Sequence, residues 1–209
     1  MRAWWPDDWL AAITASVRPS TWESYERNLR VHVKPRLGST PLQGLTASML
    51  NAFYAELLLS GRSNQENGLS PRTVRYIHTI LRKALKDAVR WNHLARNVAD
   101  SADPPKPRTS QARLVQTWTA PQLRCFLDHV KGDRLYPAYL LAATTGMRRG
   151  EIGGLRWQDI DFDTSRVAVR QTLIVVGYQL HWSTPKTDRG RRNIAIDPAT
   201  MDALRSHKA

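Results

Sequence analysis

Cysteine is all but missing from this chain: Cys125 is the only one among 209 residues. A single thiol cannot close an internal bridge, so an apolar core must hold the fold, and a chain of this length can bury one. Cys125 lies in a helix-like run beside Phe126 and Leu127, where a buried thiol is expected. No uninterrupted apolar run reaches membrane-spanning length, and Met1-Arg2-Ala3-Trp4-Trp5-Pro6 is not a signal peptide. Those two absences predict a cytoplasmic protein with no membrane partner. The six histidines (His32, His78, His93, His129, His181, His207) are scattered, with no cysteine or carboxylate at metal-site spacing. Neither a P-loop nor a GxGxxG occurs. No metal and no other cofactor is expected.

Acid is the other shortage. Against 31 Lys+Arg stand only 18 Asp+Glu, a formal net charge of +13. Such a balance calls for a polyanionic partner, of which nucleic acid is the commonest. The excess is +7 over residues 1–110 and +6 over the remainder. That even split excludes a lone basic tail on a neutral domain and suits two domains that both face a polyanion.

Taken in order, residues 6–18 read as a short helix with Asp7 and Asp8 in its first turn. Trp4, Trp5 and Trp9 read as a packing cluster. Pro19-Ser20-Thr21 opens a second helix, with Ser20 or Thr21 as its cap and Trp22, Tyr25, Leu29 and His32 or Val33 at helical spacing, stopping near Pro35. Thr46 to Met49 caps a third, whose stripe is Leu50, Phe53, Tyr54, Leu57 and Leu58 and which ends at Ser60-Gly61. Arg62 to Leu69 reads as loop. Ser70-Pro71 starts a long fourth helix running to about Trp91. Its inward face is Val74, Ile77, Leu81, Leu85 and Ala88. Another face carries Arg72, Arg75, Arg82, Lys83, Lys86 and Arg90, with only Asp87 as an internal anion. A solvated face is the plain alternative, but so one-sided a stripe is what a helix lying along a DNA groove needs for phosphate contacts.

Residues 98–112, rich in proline and polar side chains, read as an extended interdomain linker. Thr119-Ala120-Pro121-Gln122 is a capping box for a helix bearing Leu123, Phe126, Leu127 and Val130. A further helix, from about Leu135 to Ala143, is broken at Thr145-Gly146, where glycine takes the left-handed conformation cheaply. Glu151 to Trp157 reads as the next helix, so Arg148 and Arg149 sit at a helix–turn–helix corner. A guanidinium there makes a phosphate site, because its planar fork matches two phosphate oxygens. Arg166–Leu173, Tyr178–Trp182 and Asn193–Ile196 alternate as strands of a small antiparallel sheet. The charged segment 184–192 reads as a hairpin between the last two. Pro198 to Lys208 begins another helix.

The string Thr145-Gly146-Met147-Arg148-Arg149-Gly150-Glu151-Ile152, with Leu155-Arg156-Trp157 and Asp159-Ile160-Asp161 after it, resembles the first catalytic box of the tyrosine recombinases, or phage integrases. The resemblance implies that Arg148 is the catalytic arginine that grips the scissile phosphate and that Glu151 braces the corner. Ser20-Thr21-Trp22-x-x-Tyr25, Pro35-x-Leu37-Gly38 and the Ser70-Pro71 helix resemble the core-binding domain of the same family. The fold so implied is mainly α with a small antiparallel β-sheet: a four-helix SAM-like core-binding domain over residues 1–97, a linker over 98–112, and the first part of an α+β catalytic domain over 113–209. The second helix, with Ser20 and Thr21, and the fourth would enter the major groove of double-stranded DNA. One departure is that Asn97 is followed by Val98, where integrases often have Asn-Pro. Pro185-Lys186-Thr187 followed by Arg191-Arg192 is similar to the family's β-hairpin lysine segment. Lys186 would then protonate the leaving 5′-oxygen, and Arg189, Arg191 and Arg192 would contact the DNA backbone. Further recombinase protomers, as a tetramer on DNA, are the other partners the family implies.

In that family a His-x-x-Arg box and a nucleophilic tyrosine follow the hairpin at a long interval. No His-x-x-Arg occurs after Lys186, and Tyr25, Tyr54, Tyr76, Tyr136, Tyr139 and Tyr178 all precede it. A C-terminally truncated, catalytically incomplete integrase is therefore the expectation. A non-catalytic protein occupying recombination sites on duplex DNA, and a basic helical RNA-binding protein, are the alternatives.

Overall fold

A computed structural model describes residues 6–61, 67–106, 116–185 and 190–208. The chain divides into two units, Met1–Leu114 and Val115–Ala209. Trp4 and Trp5, most of the 62–69 loop and residues 107–112 of the expected linker lie outside the described residues.

The first unit is helical throughout. α1 (Asp7–Ile13) runs into a 3₁₀ turn at Thr14–Ser16. α2 (Pro19–Asn28) has Pro19 at its first position and Arg18 as its cap. Neither Ser20 nor Thr21 caps it, because proline's fixed φ starts the helix one residue earlier. Nor does the rod stop at Pro35. It passes through a π turn at Leu29–Val33 into α3 (Lys34–Leu37). Pro35 has no N–H to give, and the wider turn before it accommodates that loss. α4 (Ala47–Ser60) is capped by Thr46, whose side chain accepts from the Met49 N–H, and α5 (Pro71–Arg90) by Ser70, which accepts from Thr73.

The stripes read from the sequence meet in one core. Leu50, Phe53, Tyr54 and Leu57 of α4 pack with Val74, Ile77, Leu81, Leu85 and Ala88 of α5, and with Trp9, Leu29 and Val33. Leu58 is left at the surface. Asp87 is not on the cationic stripe: it turns inward, is 6% exposed, and accepts from Trp9 Nε1 at 3.0 Å. Lys83 and Arg90 flank it at 3.6 and 3.2 Å. Residues after α5 also belong to this unit. Val98–Ser101 is a 3₁₀ turn with Asn97 as its cap, and Ala99 and Ala102 are buried in the core. Small side chains let that stretch lie flat on α4 and α5 where an extended start to the linker was expected.

The second unit mixes helices with two small antiparallel ladders. α6 (Ala120–His129) starts with the full Thr119–Gln122 capping box. Its apolar side chains are only half-buried, and Cys125 is exposed, since it falls off the Leu123–Phe126–Leu127–Val130 face. α7 (Tyr136–Thr145) ends at Gly146 with φ +64°. α8 (Arg149–Gly153) is shorter than expected, with a separate 3₁₀ turn at Trp157–Asp159. β1 (Ile160–Asp161), β2 (Arg166–Val169) and β5 (Arg192–Ala195) form one sheet in the order β1-β2-β5, while β3 (Thr172–Val176) and β4 (Gln179–Ser183) pair only with each other. The run 166–173 is thus broken into two strands in different sheets.

α9 (Pro198–Lys208) is capped by Asp197, which accepts from Thr200. It packs on α7 over a core of Leu141, Met147, Val167, Val169, Met201 and Leu204. Among the described residues, no helix is long and apolar enough to cross a membrane, and no cluster of three or more His, Cys, Asp or Glu is placed to hold a metal.

Asp87→Ala leaves the buried Trp9 N–H without an acceptor and should lower stability by about 1–3 kcal/mol. Lys83→Ala, which removes only a solvent-facing partner, should cost under about 1 kcal/mol. Urea unfolding of the two variants checks the ranking; equal losses would contradict it.

Candidate nucleic-acid interface

The chain turns sharply between α7 and α8, and that turn presents Arg148. Gly146 supplies the left-handed residue. Thr145 holds the corner with its hydroxyl, which donates to the Leu141 carbonyl and accepts from the Met147 N–H at 3.2 Å. Gly150 lets α8 lie directly on β3: a Cβ there would come within 2.8 Å of the Leu173 carbonyl oxygen. Close backbone packing of this kind fixes where the helix begins, and Arg148 is its cap residue.

Glu151 ties the corner together. Its Oε2 accepts from the Arg148 backbone N–H at 2.9 Å, and its Oε1 accepts from Arg148 Nη1 at 2.9 Å. Arg192, from the first position of β5, donates through Nη1 to Oε1 at 3.2 Å and through Nη2 to Oε2 at 2.8 Å. The carboxylate is 5% exposed. Two guanidiniums and a backbone amide satisfy it, which is what a buried charge requires. The hydrogen bonds from Arg192, with smaller contributions from Arg148, hold its pKa at about 2, against an ordinary 4.5. The Arg192 pKa is raised in turn by the same bonds.

Arg148 itself is 78% exposed at the side chain. Only one of its five N–H donors is spent on Glu151, so the rest of the fork is available to an anion. α8 has too few turns to offer much dipole, and the cations carry whatever affinity the corner has.

The phage integrase N-terminal SAM-like domain family matches residues 5–58. A tyrosine recombinase XerC-like protein of Caldanaerobacter subterraneus is 25% identical over 96% of this chain and 53% of its own length. The ICEBs1 integrase of Bacillus subtilis is 25% identical over 96% of this chain and 52% of its own. These alignments run through the braced Arg148–Glu151 corner. Over nearly its whole length the chain is similar to tyrosine recombinases and phage integrases. The integrase of transposon Tn1549, solved in complex with transposon right end DNA, has the same fold: TM-score 0.77 at 24% identity, over 94% of this chain and 62% of that one. The chain spans about half the length of the curated relatives it matches.

The residues singled out from sequence fall into three groups. Arg148 and Glu151 come together as described. Arg192, expected at the DNA backbone, joins them as a brace of Glu151. The reason is positional: as the first residue of β5 it alternates inward, toward α8, while Arg191 is exposed. Lys186 and Arg189 lie outside the described residues. β4, before them, and β5, after them, belong to different sheets. The hairpin turn is Gly177-Tyr178, between β3 and β4.

In the other unit, the cationic face of α5 is solvent-facing. Arg72, Arg75 and Lys86 are exposed and make no ion pair among the described residues. Arg82 is exposed too and bonds Asp100 at 2.6 Å, with Lys83 and Arg90 leaning on Asp87. The exposed Arg82–Asp100 pair is worth at most about 1 kcal/mol, so a phosphate can replace that acid. Tyr76, on the same face, is bonded to Ser24 of α2 at 3.0 Å. Ser20 lines a polar groove with Glu23, Ser24, Arg27, Asn28, His32 and Thr73, while Thr21 is half-buried.

A carboxyl whose pKa is depressed in the fold contributes stability above its unfolded pKa and loses it as pH falls through the folded one. For Glu151 that window runs from about 4.5 down to about 2, and the contribution above it is on the order of 3 kcal/mol. Glu151→Gln should therefore unfold more easily at neutral pH and lose stability less steeply through that window. Thermal unfolding followed by circular dichroism from pH 6 to 2 checks this, and parallel curves for the two proteins would contradict it.

Proposed function

We propose that this chain is the DNA-binding and leading catalytic portion of a site-specific integrase, acting on double-stranded DNA. The observation that carries this reading is the solvent-facing Arg148 guanidinium held by a buried, fully bonded Glu151. An arginine built that way is set to grip a backbone phosphate, and the family uses the same position for the scissile one. The open cationic face of α5 supports the duplex as substrate. In the intact family, recombination passes through a covalent phosphotyrosine, with Lys186 as the general acid and further protomers on the DNA. Residues 1–97 would serve as the core-binding domain and 113–209 as part of the catalytic domain, with the linker letting the two close around DNA.

A second reading has its own support. The 209 residues contain no tyrosine after Lys186 and no His-x-x-Arg beyond it. Covalent phosphoryl transfer needs a positioned nucleophile, which the Arg148 corner cannot replace. On their own, then, these residues would occupy a recombination site without cutting it. Incubation with a suicide DNA substrate separates the readings: a covalent protein–DNA adduct would refute the non-catalytic one.

Binding is tested by titrating a labelled duplex across salt. With roughly six to ten phosphate contacts, affinity should fall about 10³–10⁵-fold between 50 and 200 mM salt. Replacing Arg72, Arg75 and Lys86 by Ala should weaken binding on every sequence and lower the salt slope by roughly 3. Tighter binding to single-stranded RNA at every salt would sink the integrase reading.

A further inference from the structure

The register of β2 with β5 sets Ala168 against Asn193 and Val169 against Arg192. The ladder ends at that pair, and Arg170 and Arg191 lie just beyond it. Two cations lining one groove repel each other, and an anion between them relieves that repulsion. An open groove exists there, lined by Ala168, Val169, Arg170, Arg191, Arg192 and Asn193. Val167 and Val169 point into the core, while Arg170, Arg191 and Asn193 are exposed. Ala168 is too small to fill the floor.

The groove is also braced from below. Asp159, 6% exposed, accepts from Arg156 Nε at Oδ2 (2.7 Å) and from Nη2 at Oδ1 (3.0 Å), and Arg170 Nε stands 3.6 Å from the same Oδ1. The plan repeats that of the Arg148 corner. In each, a buried acid holds the arginine three residues before it and a second arginine from a strand end. Glu151 takes Arg148 and Arg192; Asp159 takes Arg156 and Arg170. Among the described residues, Asp159 is the only carboxylate paired with Arg156 or Arg170, and Arg191 makes no ion pair.

We propose that the Arg170–Arg191 groove is a second phosphate-binding site, which takes a phosphodiester of duplex DNA other than the one at Arg148. Two guanidinium forks and the Asn193 amide supply the donors, and Asp159 acts as the positioning residue. The identity of the phosphate's carrier rests on the duplex-DNA reading above, whereas the anion site itself rests on the residues that line the groove.

The test uses the 209-residue chain, the double variant Arg170→Gln/Arg191→Gln and a control with Arg72, Arg75 and Lys86 replaced by Ala. Fluorescence anisotropy with a duplex of about 30 base pairs should show the double variant's salt slope reduced by roughly 2, equally for unrelated sequences. Its melting temperature without DNA should stay close to that of the parent, because Arg156 still satisfies Asp159. If the control loses slope and the double variant keeps it, the duplex reading stands and the groove proposal falls. If the parent binds no duplex, thermal shifts with inorganic phosphate decide: stabilisation of the parent alone keeps an anion site but ends its assignment to DNA. Equal shifts, or none, end the proposal.

Discussion

A buried carboxylate shared by two arginines is the constraint on which the second unit turns. Glu151 satisfies the first free N–H of α8, one donor of Arg148 and both of Arg192's outward nitrogens. It thereby joins a helix start to the first residue of a strand that lies 41 positions later in the chain. Left unpaired, a charge so buried would cost several kcal/mol, so the three groups stand or fall together. What this leaves at the surface is a guanidinium whose backbone cannot drift and whose remaining donors face water. Preorganised charge of that sort is how proteins hold a phosphate without reorganising to do so.

The scarcity of acid takes on meaning in this light. Several of the few carboxylates are spent holding arginines: Glu151 and Asp159 in the second unit, Asp87 and Asp100 in the first. Asp87 and the two acids of the second unit are themselves buried, so they position cations without adding negative surface. A chain can carry a large positive excess and still order its arginines in this way, and the polyanion then meets cations already fixed in place.

Much of this was legible in the sequence. Caps at Thr46, Ser70 and Thr119 were readable because a hydroxyl before a helical stripe has few other uses. The core faces of α4 and α5 followed from their period, and the Arg148–Glu151 box from its resemblance to the integrase motif. What was not legible depended on partners distant in sequence. Asp87 looked like part of the cationic stripe because nothing local says that Trp9 needs an acceptor. The arrest expected at Pro35 ignored the π turn that absorbs a missing N–H. Cys125 was expected inside because its neighbours are apolar, yet a shift of one residue around a helix reverses exposure. The strands of the second unit were placed nearly right, but which strand pairs with which is set by tertiary packing. For that reason the roles of Arg192, Arg170 and Asp159 could be seen only once the register was known.

The central claim is that the braced Arg148 holds a backbone phosphate of duplex DNA. A crystal structure of the 209-residue chain bound to a duplex tests it most directly. The account predicts phosphate oxygens within hydrogen-bonding distance of the Arg148 guanidinium while Glu151 still accepts from the Arg148 backbone and from Arg192. An Arg148 turned away from the DNA, or a Glu151 released from Arg192 in the complex, would contradict it.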